Sequence, residues 1–156
     1  MNNWNTERFS ALGPTALRLG LAAVFFAHSY AKLFILTLPG TAQFFEAHGF
    51  PGWTAYPVTA AELLGAAALL VGLRTRIVAA ALMAVLLGAL RVHAPNGWMF
   101  SNAGGGWEYV AFLIAALGAQ VLLGGGAYAL LLPGKAGERA AGRGAVSPAS
   151  DAQSLP

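Results

Sequence analysis

The chain has 156 residues, of which 57% are hydrophobic and only 10% charged, with mean hydropathy +0.61. A soluble domain carries about 25% charged residues, so this balance excludes an ordinary water-soluble fold. The formal charge of +3 arises from basic residues at predicted helix ends rather than in a patch, which argues against nucleic-acid binding.

The elements follow in chain order. Met1 to Leu12 is polar, and Pro14 stands where the first turn of a helix tolerates a missing N–H. An apolar first span is expected from about Thr15 to Leu38, ending at Pro39-Gly40. It is too long for the apolar stretch of a signal peptide, contains His28 and Lys32 and lacks a small-residue cleavage site, so it is expected to persist in the mature protein. Between Thr41 and Tyr56 the segment TAQFFEAHGFPGWTAY, with Thr41 as cap, paired Phe44 and Phe45 and a stop at Gly49, predicts a short amphipathic interfacial helix. Pro57 opens a second span, about Val58 to Leu73, closed by Arg74-Thr75-Arg76. The third span, about Ile77 to Val92, is an Ala/Leu/Val run ending at Arg91, His93 and Pro95, so a tight hairpin joins the two. HAPNGWMFSNAGGG is a loop by its Pro, Asn and Gly content, and a fourth span is expected from about Trp107 to Leu132, ending at Pro133-Gly134.

The expected fold is therefore all-α: an integral membrane four-helix bundle with a short interfacial helix between the first and second spans. Residues 1–134 form the membrane domain and 135–156 a disordered cytoplasmic tail, since the tail offers almost nothing apolar to bury. Arg8, Arg18, Arg74, Arg76, Lys135, Arg139 and Arg143, seven of the nine basic residues, fall on one side of a four-span chain. The positive-inside bias makes that side cytoplasmic, with both termini there, in a multi-pass protein of a bacterial-type plasma (inner) membrane. Arg18 is read as a cytoplasmic anchor rather than a site residue. Gly65, Gly72, Gly88 and Gly118 are read as close helix packing.

Candidate chemistry lies at the outer end. Lys32, six residues before the end of the first span, and Glu62, five residues after Pro57, both reach roughly 8 to 9 Å deep at about 1.5 Å per residue. Their charges oppose and their depths match, so pairing would relieve an insertion cost on the order of 2.5 to 3.5 kcal/mol for each. His28 is one turn further in on the face of Lys32, while Arg91, His93 and Glu108 ring the outer mouth. The same residues also fit a plain structural role, a Lys–Glu lock between helices and ordinary charges at helix ends. No helical His pair at i, i+4 supports a metal, so none is expected, and the absence of cysteine leaves redox chemistry to a bound cofactor or a partner.

LRLGLAAVFFAHSYAKLF with its Arg18, His28 and Lys32 spacing, FFEAHGFPGW, AELLGAAALLVGLRTRIVA, HAPNGW, Glu108 and GGGAYAL together resemble the DoxX family of small four-helix membrane proteins over about Ala16 to Leu132. Individually these motifs are weak, but their order and spacing are specific. The family is named for a subunit of a membrane thiosulfate:quinone oxidoreductase, and other members resemble membrane partners of redox-stress or thiol-handling proteins. The resemblance places the family pattern on His28, Lys32, Glu62, His93, Asn96 and Glu108. Its implication is an oxidoreductase subunit with a pocket near the outer leaflet for a quinone-type head group or a small polar ligand. His28, Lys32, Glu62 and His93 would be catalytic, and Arg91, Asn96, Glu108 and Tyr109 would bind ligand. Beyond the lipid bilayer, the partners would be a soluble redox protein and other subunits in a homo- or hetero-oligomer. A non-catalytic membrane anchor for a soluble redox protein, or a small-solute carrier, are the alternatives.

Overall fold

A computed structural model describes the backbone of residues 3–130 and the side chains of residues 9–130; the anticipated tail, 135–156, lies outside the described residues. The described part is all-helical, an integral membrane bundle. Its elements are α1 (Asn3–Tyr30), a π-helical turn (Ala31–Ile35), α2 (Leu38–Ala47), α3 (Ala55–Val71), α4 (Thr75–His93) and α5 (Glu108–Leu123). Among the described residues, three segments are long and apolar enough to cross a bilayer: Phe9–Ile35, Gly52–Val71 and Thr75–Asn96. α1 packs chiefly on α3 and α4 chiefly on α5, while α3 against α4 and α1 against α5 close the circuit. The core is filled from α1, α3, α4 and α5, with Leu21, Ala22 and Phe25 of α1, Ala66 and Leu69 of α3, Leu82 and Leu86 of α4, and Leu113 and Leu117 of α5.

Several boundaries differ from the sequence expectation. α1 starts at Asn3, so Pro14 lies inside the helix rather than in its first turn. The region around the proline is tied from outside by Ala127, whose N–H donates to the Ala11 carbonyl at 2.9 Å and whose carbonyl accepts the Thr15 hydroxyl at 2.8 Å. The cap of α2 is Thr37, whose Oγ1 accepts from the Gly40 N–H, with Pro39 in the first turn. Thr41, expected as the cap, is instead buried inside α2 and donates to the Thr37 and Lys32 carbonyls. α5 stops at Leu123, short of Leu132. Gly124 and Gly126 take left-handed backbone angles (φ +83° and +69°), and the strap they begin spends its backbone groups on other elements. Ala127 N–H donates to Ala11, and Leu130 N–H to the Val71 carbonyl at 3.1 Å. At about 1.5 Å per residue the 16 residues of α5 reach ~24 Å, less than a hydrocarbon core of roughly 30 Å.

The glycines divide by role. A Cβ on Gly65 would meet the Leu82 methyls at 2.8 and 3.0 Å, so this glycine does bring α3 close to α4. Gly72 ends α3 in the left-handed conformation (φ +76°). Gly88 and Gly118 face open space, contrary to the close packing expected of them. Arg18, read from the sequence as a cytoplasmic anchor, is buried at 2% exposure, with its guanidinium against Gly72 at the α3–α4 turn.

Candidate functional site

α1 does not run straight into the loop. At Ala31–Ile35 it widens into a π-turn, with the Leu36 N–H reaching five residues back to the Ala31 carbonyl at 2.8 Å. Such single π-turns recur at functional sites, and this one carries Lys32. The α1–α3 packing brings Lys32 to Glu62, whose two carboxylate oxygens lie 2.5 and 2.6 Å from Nζ. The side chains are 18% and 5% exposed, so the pair is largely desolvated. Two charges in an apolar bundle are tolerated because each is the other's partner.

Beside the pair is a cavity of about 790 Å³. His28, Lys32 and Glu62 line it from α1 and α3, His93 from the end of α4, and Tyr109 from the start of α5. The rest of the wall is mostly apolar: Phe44, Phe45 and Phe50 on the α2 side, Val58 of α3, Val85, Leu86, Ala89 and Val92 of α4, Phe100 of the following loop, and Val110 and Leu113 of α5, with Thr54, Gly105 and Gly106 completing it. Gly88 also lines it, which accounts for the open space in front of its Cα.

The histidines are oriented by the backbone. His28 Nδ1 lies 2.8 Å from the Val24 carbonyl, and His93 Nδ1 lies 2.9 Å from the Gly105 carbonyl. A carbonyl oxygen only accepts, so each ring places its proton on Nδ1 and keeps a basic lone pair on Nε2 when neutral. His28 stacks on Tyr109, with centroids 6.5 Å apart and planes 15° from parallel.

Arg91, Asn96 and Glu108 do not line the cavity. The Arg91 guanidinium sits over the outer Phe50 ring, 5.6 Å from its centroid, one residue removed from the cavity. Asn96 Nδ2 donates to the Gly104 and Gly105 carbonyls, and the Glu108 carboxylate accepts the Phe100 N–H at 3.0 Å. Together with Trp98 against Trp107, edge to face at 4.4 Å, these bonds shape the loop that bears Phe100 and Gly105. Sequence reasoning missed the aromatic wall. The paired Phe44 and Phe45 were legible as an apolar face, but that the face turns toward Lys32 is a matter of how α2 folds back after Thr37. Phe50 and Phe100 carried no signal. Among the described residues no group of three His, Asp or Glu side chains is placed to hold a metal ion.

The chain is 37% identical over 79 residues to a Bacillus subtilis (strain 168) protein named "Putative oxidoreductase CatD", a match covering 51% of this chain and 58% of that relative. The chain thus spans somewhat less than two thirds of the relative's length. No solved structure matches it. The family model described as DoxX matches residues 13–95, which take in α1 to α4 with Lys32, Glu62 and His93. On that match, over more than half of its length, the chain belongs to the DoxX family.

Proposed function

We propose that this protein is a subunit of a membrane oxidoreductase whose cavity holds a quinone-type head group near the outer leaflet of a bacterial plasma membrane. The observation that carries the reading is the juxtaposition of a desolvated Lys32–Glu62 pair and two histidines whose Nδ1 atoms face backbone carbonyls in one cavity of about 790 Å³ with aromatic walls. A quinone ring is flat and apolar with polar atoms at its edges, and the cavity has the same division, Phe44, Phe45, Phe50 and Phe100 against Lys32, His28, His93 and Tyr109. A bound quinone accepts two electrons and two protons. His28 and His93 are suited to pass protons through Nε2, and Glu62 to hold one when Lys32 moves off it. Lys32, with Arg91 at the rim, would draw an anionic or polar reductant. With no cysteine in the chain, the electrons come from that reductant or from a soluble redox partner. In this reading α5 completes a fourth crossing and the termini are cytoplasmic.

One observation favours a second reading, a non-catalytic anchor for a soluble redox protein: both Glu62 oxygens are engaged by Lys32 Nζ, as in a lock between helices. Two variants separate the readings. A Cβ on Gly88 meets nothing within 4 Å and Gly88 lines the cavity, so Gly88→Leu, which fills part of that space, should leave the protein folded while removing quinone co-purified in mild detergent and quinone-dependent turnover. Glu62→Gln should abolish turnover in the fraction of protein that remains folded. If no quinone is recovered with the unaltered protein, or Gly88→Leu retains it, the quinone site is wrong and the anchor reading stands.

A further inference from the structure

A second group of buried polar atoms lies at the other end of the bundle. Arg18 precedes Lys32 by fourteen residues, about 21 Å along the helix. Its side chain is 2% exposed, and among the described residues Nε and Nη1 have no hydrogen-bond partner. The guanidinium packs on Gly72 at the α3–α4 turn, where a Cβ would overlap Nη1 and the backbone of Ala129. Thr75, the first residue of α4, and Gln120, on the last turn of α5, are buried at 4% and 0% exposure, and Thr75 Oγ1 and Gln120 Oε1 are likewise without partners. The strap after α5 joins the three. Gln120 Nε2 donates to the Gly124 carbonyl, a Cβ on Gly125 would approach Thr75 Oγ1 to 3.2 Å, and Ala129 fills the space between Gly125 and Gly72.

Among the described side chains the charge around this spot is one-sided. The acidic side chains described, Glu46, Glu62 and Glu108, are all at the cavity end, whereas Arg74 and Arg76 flank the turn beside Arg18. Arg76 is occupied with the Leu122 carbonyl at 3.3 Å and lends no acceptor. A buried guanidinium is ordinarily paired. Water could meet its N–H groups without offsetting its charge, whereas an oxyanion does both and matches the planar fork of arginine. The remaining unmet groups narrow the class. The Thr75 hydroxyl can donate to the same anion, and Gln120 Oε1 can only accept, so it calls for a hydroxyl on the ligand.

We infer that Arg18, Thr75 and Gln120 form a binding site for a hydroxyl-bearing phosphate, closed by the 124–130 strap, with Ala129 the residue the ligand displaces. Phosphatidylglycerol head groups and inorganic phosphate share this chemistry, and the site stands independently of the quinone reading.

The test uses the full chain, delipidated in mild detergent, with thermal unfolding followed on titration with phosphatidylglycerol, phosphatidylcholine or inorganic phosphate. A saturable upward shift of a few degrees is expected with a hydroxyl-bearing phosphate and none with phosphatidylcholine. Saturation by phosphatidylglycerol alone identifies the lipid source, and saturation by inorganic phosphate identifies the soluble one. Arg18→Lys, which keeps the charge but loses the fork, and Thr75→Val should each raise the half-saturating concentration tenfold or more. Should Arg18→Lys not fold, Thr75→Val carries the comparison. The inference is overturned if neither phosphate gives a saturable shift with the unaltered protein, or if half-saturation is unchanged in the folded variants.

Discussion

Replacing Glu62 by Gln removes a charge without removing volume, and replacing Lys32 by Met does the same on the other side of the pair. At 2.5 Å and an effective dielectric constant of about 20, the Coulomb attraction is roughly 6 to 7 kcal/mol. Desolvating each ion costs several kcal/mol, so the intact pair contributes little net stability. Breaking it is another matter, because the survivor keeps its desolvation cost and loses its partner. A single substitution at a buried pair costs about 3 to 5 kcal/mol. Lys32 is 18% exposed and can extend toward the interface, so Glu62→Gln should fall at the lower end, about 3 kcal/mol. Glu62 is 5% exposed with no such escape, so Lys32→Met should fall nearer 5 kcal/mol. The double variant leaves only a buried amide and should cost about 1 to 3 kcal/mol, less than the sum of the two. Equilibrium unfolding in mixed detergent, followed by tryptophan fluorescence, measures all four corners of this cycle. A coupling within about 0.5 kcal/mol of zero would show that the two side chains are independent and that the electrostatic argument for this site is mistaken.

Gly65→Ala should cost about 1 to 3 kcal/mol because its Cβ meets the Leu82 methyls at 2.8 and 3.0 Å, while Gly118→Ala, facing open space, should be neutral or stabilising by up to about 1 kcal/mol in the same assay. The chain has no cysteine, so single cysteines at Arg74 and Ala103 can be labelled with an impermeant reagent in intact cells and in inverted vesicles. Ala103 is expected to react from outside and Arg74 only after inversion; reaction of both from one side would refute the hairpin topology.

How much of this was legible differs residue by residue. The apolar runs of α1, α3 and α4 could be read because a hydrocarbon solvent demands length and hydropathy, both properties of contiguous sequence. Lys32 and Glu62 could be paired because, in spanning helices, distance from a helix end translates into depth. The fate of α5 was less clear: the residues beyond Leu123 are apolar enough to continue a helix, but Gly124 and Gly126 bend the chain onto Ala11 and Val71. Gly88 and Gly65 look alike in the sequence, yet one opens the cavity and the other admits Leu82.

Composition and linear spacing were therefore sufficient for the solvent, the helical class and the level of the Lys32–Glu62 pair, since each depends on neighbours along one chain segment. Tertiary packing alone decided that α2 brings Phe44 and Phe45 to the cavity beside that pair, that Arg91, Asn96 and Glu108 serve the rim and loop, and that Arg18 is enclosed. These outcomes depend on which helix faces meet, and a helix face acquires its neighbours only when the bundle closes.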